Sequence, residues 1–89
     1  MTERAIEAAL VKAVKASGGM ALKLISPGAA GVPDRLVLLP GGRAVFVELK
    51  APGEKPRPLQ RKRAAQLQAL GFRSIVIDGT EAVQEVFRL

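Results

Sequence analysis

The sequence predicts an α/β fold in which a mixed β-sheet is flanked by helices, in the element order α-β-β-β-α-β-α. Three observations support this class: an N-terminal segment with helical periodicity, two apolar runs around a Pro-Gly-Gly turn, and a helical segment before one further strand. The turn predicts an antiparallel hairpin, whereas the helical crossover makes its flanking strands parallel. With 89 residues, the chain is expected to form one domain over residues 1–89.

The first half of the chain provides one helix and three strands. The helix is predicted in "TERAIEAALVKAVKASGG", with Thr2 as its N-cap and Gly18-Gly19 at its end. Its apolar stripe consists of Ile6, Leu10, Val11 and Val14. "MALKLI" alternates as a half-exposed strand does, and "SPGAAGVP" is a loop. "DRLVLL" and "RAVFVELK" are strands that meet at Pro40-Gly41-Gly42.

The second half provides the crossover. After the loop "APGEKPRP", Pro58 suits the first turn of the helix "LQRKRAAQLQAL", which ends at Gly71. "FRSIVID" is the fourth strand and "GTEAVQEVFRL" a short last helix. The apolar face of the second helix is predicted to be Leu59, Ala64, Leu67 and Leu70.

The residue types restrict the chemistry. The chain has no Cys and no His, which excludes disulfides, thiolate metal sites, a Ser-His-Asp triad and ordinary zinc hydrolase sites. Any metal must be held by oxygen ligands, which favours Mg²⁺ or Mn²⁺. A hydrophobic content of 48% is enough for a core, although a domain of this size is marginal alone and would gain from dimerisation.

The net charge of the chain indicates what kind of partner it binds. A net charge of +6 favours polyanions, chiefly nucleic acid; the alternative is a soluble protein that is merely basic. No apolar run approaches the ~20 residues of a membrane span. The N-terminus "MTERAIEAAL" lacks the layout of a secretory signal, so the expected location is cytoplasmic.

Three charged residues lie at the ends of the two most apolar strands. Glu48 and Lys50 point to one side of their strand because side chains alternate. Asp34 is as far before the hairpin turn as Glu48 is after it, so the two carboxylates are expected to be neighbours. They would repel each other unless a cation lay between them, and a divalent metal meets that need. The alternative is an ordinary solvated strand end, because E-x-K alone is common.

Both helices carry polar residues on their apolar faces. Glu7 projects into the stripe of the first helix, as does Glu3 one turn earlier; Glu7 either serves the metal site or extends to solvent from the stripe's edge. Gln60 projects into the apolar face of the second helix, whereas the role of Arg63 is open. A basic run lies largely off that face and is a candidate phosphate-binding surface or simply solvated: Lys55, Arg57, Arg61 and Lys62.

The pattern "GVPD" followed by "ELK" resembles the PD-(D/E)xK nuclease superfamily. More narrowly, G-x-P-D, E-x-K and the downstream glutamine helix resemble the VRR-NUC domain in its stand-alone form, which is similar to Holliday-junction resolvases. The resemblance runs from Glu7 to about Val83 and implies a restriction-endonuclease-like fold. One departure is the loop "SPGAA", where relatives often carry basic residues.

The resemblance implies a role for each site residue. Asp34 and Glu48 would be metal ligands, with the Leu49 carbonyl as a candidate third. Lys50 would be the catalytic lysine. Two helix-borne residues complete the set, Glu7 as a metal ligand and Gln60 as a supporting glutamine.

These features together predict a Mg²⁺- or Mn²⁺-dependent DNA endonuclease that hydrolyses phosphodiester bonds. Branched DNA such as a Holliday junction as substrate, and a homodimer as the active form, follow from the resemblance. Three alternatives are a non-catalytic nucleic-acid-binding domain on a nuclease-like fold, a restriction-type or RNA-directed nuclease, and a small interaction protein.

Overall fold

The computed structural model describes residues 1–26 and 28–89, so residue 27 of the predicted loop "SPGAAGVP" lies outside the described residues. The element order agrees with the prediction, except that the last helix is a 3₁₀ helix. The elements are α1 (Glu3–Ala16), β1 (Met20–Lys23), β2 (Arg35–Leu39), β3 (Arg43–Leu49), α2 (Pro58–Ala69), β4 (Arg73–Ile77) and the 3₁₀ helix (Thr80–Phe87). In the described part of the chain, no helix combines the length and apolarity needed to cross a membrane.

The four strands form one sheet in the order β1-β2-β3-β4. The first two pairings are antiparallel and the β3–β4 pairing is parallel, which confirms the predicted hairpin and crossover. Arg35 pairs with Val47 across the hairpin, so the preceding residue, Asp34, lies level with Glu48.

The hydrophobic core lies between one face of the sheet and α1 with the 3₁₀ helix. Thr2 caps α1, since its Oγ1 accepts a hydrogen bond from the Ala5 N–H at 3.1 Å. The core includes three of the four residues of the predicted helical stripe and every second residue of β3 from Val45 on: Ile6, Leu10, Val14, Val45, Val47 and Leu49. The fourth stripe residue, Val11, is partly buried and lies outside this cluster. Because side chains alternate along β3, Glu48 is directed to the opposite face, where α2 lies.

The predicted apolar face of α2 is wrong in part. All of α2 is described, and none of its residues is buried; Leu59 is 41% exposed and the neighbouring C-cap Leu70 is 74% exposed. The physical reason is that α2 lies at one side of the sheet and packs mainly on β4, so it covers little apolar surface. The α2 residue that reaches Glu48 is Gln60, which is polar.

The loop that precedes Asp34 is fixed to α2 by close packing. Arg63, whose role was open from sequence, donates from Nε to the Ala30 carbonyl at 2.9 Å. Gly31 has φ of 80°, and a Cβ built there would lie 2.8 Å from Leu59 Cγ and 2.9 Å from the Leu59 carbonyl oxygen. Position 31 therefore requires glycine for both its backbone conformation and its distance from α2.

Replacing Gly31 with Ala is expected to lower the free energy of unfolding by about 2 kcal/mol or more, measured by urea denaturation. The positive φ alone costs roughly 1–2 kcal/mol, and the contact with the Leu59 backbone adds to it. Gly41 is the matched control, since its φ is 87° but no atom of the residues that the structure describes lies within 4 Å of an added Cβ. An equal loss in Gly31→Ala and Gly41→Ala would contradict a role for the loop–helix contact.

Candidate metal and phosphodiester site

Asp34 is held at the end of β2 by the neighbouring strand. Its Oδ2 accepts a hydrogen bond from the backbone N–H of Leu49 at 2.8 Å. Its own carbonyl accepts from the Leu24 N–H at 2.9 Å. The carboxylate is thereby fixed beside Glu48 through one oxygen.

Glu48 is the most deeply placed charge of the site, with 6% of its surface exposed. Its Oε2 accepts from Gln60 Nε2 at 2.6 Å and lies 3.3 Å from Lys50 Nζ. Its Oε1 is buried and has no hydrogen-bond partner among the described residues. A buried carboxylate oxygen without a donor is unfavourable in the protein alone, which fits a ligand position for a cation.

The environment of Glu48 disfavours its charged form. Burial raises the pKa of Glu48 above its ordinary value, and the nearby charge of Asp34 raises it further. The hydrogen bond and the charge of Lys50 act in the opposite direction and lower it. A divalent cation between the two carboxylates would remove their repulsion, so the donor set fits such an ion.

Lys50 follows the end of β3 and is held by the parallel strand. Its backbone N–H donates to the Ile77 carbonyl at 3.0 Å, which continues the β3–β4 ladder. Its side chain is 14% exposed and reaches Glu48, as the alternation of side chains predicts. The ammonium therefore lies at the carboxylates.

Gln60 connects the site to the start of α2. Its Oε1 accepts from the Arg57 N–H at 2.8 Å, which satisfies a donor at the helix start. This contact orients the side chain so that Nε2 faces Glu48. The structure therefore places Gln60 against Glu48, on the inward side that the sequence indicated. Its supporting role in the site stays a prediction.

Leu49 offers a further oxygen at the same edge. Its N–H donates to Asp34, and the N–H and C=O of one strand residue are directed to the same side. The Leu49 carbonyl is therefore directed towards β2 and Asp34.

The carboxylates of α1 do not join Asp34 and Glu48 in a common group. Glu7 is bound instead by Arg35, whose Nε and Nη2 each lie 3.1 Å from Glu7 Oε2. Glu3 is close enough that its charge raises the pKa of Glu48, after burial and Asp34. The described residues contain no group of three acidic side chains arranged to hold a metal. A ligand role for Glu7 stays a prediction.

Arg35 is the site residue that sequence analysis missed. It donates from Nη1 to the Ala21 carbonyl at 2.9 Å and so connects β1, β2 and α1. The sequence did contain an indication of this role. Arg35 directly follows Asp34 at a core-facing strand position, where a charged side chain requires a partner.

The predicted phosphate-binding residues are exposed on the α2 side of the site: Lys55, Arg57, Arg61 and Lys62. Arg61 donates to the Pro56 carbonyl at 2.7 Å, which places its guanidinium at the loop before α2. It also lines a small cavity with Glu48 and Gln60. A cationic surface therefore borders the carboxylates.

Comparison with known proteins identifies the family of the chain. No protein-family model matches the chain. A protein from Acyrthosiphon pisum secondary endosymbiont phage 1, named "Putative nuclease p44", is 54% identical over 79 residues, covering 89% of this chain and 85% of the phage protein. A solved structure described as a VRR_NUC domain matches 98% of this chain and 96% of its own, with a TM-score of 0.88 and 29% identity. By fold, by extent and by sequence identity, the chain belongs to the VRR_NUC domain family.

Proposed function

We propose that this protein is a Mg²⁺- or Mn²⁺-dependent endonuclease that hydrolyses phosphodiester bonds in DNA. The observation that carries the proposal is the buried Oε1 of Glu48 beside Asp34, which has no hydrogen-bond partner in the part of the chain that the structure describes. The nuclease name of the phage relative and the VRR_NUC likeness support the same activity.

Asp34 and Glu48 would hold the metal, with the Leu49 carbonyl as the next candidate. When bound, a divalent cation lowers the pKa of water and neutralises charge that develops on the phosphate. Gln60 orients Glu48 by donating a hydrogen bond to Oε2, and within residues 1–26 and 28–89 no group donates to Oε1. The Asp34 carboxylate is fixed by the Leu49 N–H in the same way.

Lys50 provides a positive charge at the site in addition to the charge of a metal. Its ammonium lies 3.3 Å from Glu48 Oε2 and is largely shielded from solvent, so water screens its charge only weakly. A phosphate at the carboxylates would lie within its reach. Lys50 would orient the attacking water or stabilise the negative charge of the transition state.

The DNA backbone would run along the exposed cationic residues beside α2. Lys55, Arg57 and Lys62 are exposed there, and such contacts carry little sequence information. The chain has no Trp or Tyr, which argues against stacking as the main binding mode. A structure-selective enzyme, with branched DNA as its preferred substrate, fits this sequence-independent surface.

A homodimer is the active form that we propose, through the part of the sheet face that α2 leaves uncovered. The strand register places several apolar residues of β1, β2 and β3 there: Met20, Leu22, Leu36, Leu38 and Phe46. Met20 is 56% exposed and Leu22 is 39% exposed. Light scattering should give twice the mass of one chain, and Leu22→Lys should give the single-chain mass. A monomeric mass for the wild-type protein at micromolar concentration would exclude this dimer.

The deciding experiment is cleavage of labelled four-way-junction, flap and linear duplex DNA with Mg²⁺, Mn²⁺ or EDTA. We expect metal-dependent cutting, strongest on the junction, and its loss in Asp34→Asn, a variant that keeps an oxygen for the Leu49 N–H. Asp78→Asn is the matched control, since Asp78 is exposed. DNA binding without cutting on any substrate would favour a non-catalytic binding domain instead.

A further inference from the structure

A second basic cluster lies at the end of the sheet opposite to the carboxylates. Strands β3 and β4 begin with Arg43 and Arg73, and Arg88 follows the 3₁₀ helix. The three arginines line a groove of about 380 Å³ together with Phe72, and we call it the arginine groove. From Arg43 to Glu48 the strand rises by roughly 17 Å, so the groove is separate from the proposed cleavage site.

Backbone carbonyls hold two of the guanidinium groups in place. Arg43 Nη1 donates to the Phe87 carbonyl at 3.2 Å. Arg73 donates to the carbonyls of Glu85 at 2.8 Å, Val86 at 3.2 Å and Arg88 at 2.8 Å. These contacts fix the direction of the groups before any ligand arrives, which reduces the entropy lost on binding.

The carbonyl contacts do not neutralise the charge. In residues 1–26 and 28–89, neither Arg43 nor Arg73 forms an ion pair with a carboxylate. Arg88 is paired with Glu85 at 3.0 Å, and its side chain is 69% exposed. The groove therefore keeps a net positive charge, and guanidinium groups bind phosphate oxygens through charge-assisted hydrogen bonds.

We propose that the arginine groove binds a backbone phosphate of DNA, away from the phosphodiester bond that is cut. This inference rests on the proposed function and adds a second point of contact with the same DNA. Measured along a duplex axis, contacts separated by roughly 17 Å are about five base-pair steps apart, and two such contacts would fix the direction in which a duplex arm leaves the cleavage site. Direction of an arm is the property that a junction-selective enzyme has to read.

The shape of the groove favours a polymer over a free nucleotide. A Cβ added at Gly42 or Gly71, both on the groove wall, would meet no atom of the described residues within 4 Å. The groove is thus open along its sides, whereas small-molecule sites enclose most of their ligand. Phe72, which is 44% exposed, adds apolar surface for a sugar at the groove mouth.

The test is the salt dependence of binding to a duplex of about 20 base pairs, measured by fluorescence anisotropy in EDTA so that nothing is cut. We expect the slope of log K against log salt to decrease by roughly 0.9 in Arg88→Gln and again in Arg43→Gln, for one lost phosphate contact each. Arg88→Gln is the primary variant because its exposed side chain can be replaced without disturbing the fold. Arg43→Lys should recover most of the slope, because the charge is kept.

Lys12→Gln is the matched control, with the same change of charge on the exposed side of α1. For this variant, the slope of log K against log salt is expected to differ from the wild-type slope by less than about 0.3. An unchanged slope in both arginine variants, in protein that still cuts DNA, would overturn the arginine groove and leave the proposed function intact. A second outcome concerns free nucleotides. If adenosine monophosphate raises the melting temperature of the wild-type protein but not of Arg43→Gln, and the DNA slopes are unchanged, the groove binds a free nucleotide. That result would also overturn the proposal. A reduced slope in the arginine variants alone supports the proposal.

Discussion

Glu48→Gln is expected to reduce DNA cleavage by about three orders of magnitude or more while changing DNA affinity by less than about threefold. The amide keeps the size of the side chain and an oxygen for the Gln60 Nε2. It removes the negative charge that would attract a divalent cation at the position of Oε1, which the described protein leaves without a partner. The phosphate-binding side chains beside α2 are not altered.

A thermal shift provides a readout that does not depend on turnover. At ten times its dissociation constant, Mg²⁺ or Mn²⁺ should stabilise the wild-type protein by about 1.4 kcal/mol. For a domain of this size that free energy corresponds to roughly 7 °C in melting temperature. Glu48→Gln should show little of this shift, because one of the two carboxylates has lost its charge.

Glu54→Gln is the matched control for charge, since Glu54 is exposed in the loop between β3 and α2. Its cleavage rate and its metal-induced shift should equal those of the wild-type protein. Retained cleavage in Glu48→Gln would mean that the catalytic site has been misplaced. A loss of both cleavage and DNA binding would point instead to a structural role for Glu48.

The sequence was sufficient for the fold because its strongest signals were local and consistent. The apolar stripe of α1, the turn at Pro40-Gly41-Gly42 and the crossover helix each specify one element. Each of these elements is present in the structure, and three of the four stripe residues, Ile6, Leu10 and Val14, are buried. Counting outward from the turn placed Asp34 level with Glu48, since an antiparallel hairpin leaves only one register once its turn is fixed.

The sequence was less informative where the answer depended on which elements pack together. Periodicity showed that Glu7 lies on the core side of α1, but not that Arg35 from β2 would bind it. The apolar face of α2 was predicted from spacing, whereas the structure leaves Leu59 and Leu70 largely exposed. Periodicity gives the direction of a side chain from its own helix, and only tertiary structure gives what lies opposite.

Lys50→Met is expected to reduce cleavage by about 10²- to 10³-fold, and to destabilise the metal-free protein in a pH-dependent way. The catalytic loss follows from removal of the positive charge that lies 3.3 Å from Glu48 Oε2. Lys50→Arg keeps that charge and should recover part of the rate. Equal cleavage by wild-type and Lys50→Met protein would exclude a catalytic role for this lysine.

The stability effect follows from the raised pKa of Glu48. A carboxyl group whose pKa is raised on folding binds its proton more tightly in the folded state, so stability falls as pH rises from the unfolded pKa to the folded one. Lys50 lowers this pKa, and its removal should raise the pKa further and widen that pH window. We therefore expect the difference in unfolding free energy between wild-type and Lys50→Met protein to be small near pH 4 and to reach roughly 2–3 kcal/mol at pH 8.

A double-mutant cycle separates the charge effect from lost packing. Glu48→Gln combined with Lys50→Met leaves no unpaired buried charge, so the double variant should be more stable at pH 8 than Lys50→Met alone. Lost packing of the lysine stem would instead give the same destabilisation at every pH and in both backgrounds. Urea denaturation of the four proteins in EDTA at pH 4 and pH 8 distinguishes the two. If the effects of the two substitutions on the free energy of unfolding are additive at pH 8, Lys50 does not stabilise the charged form of Glu48 in the folded protein.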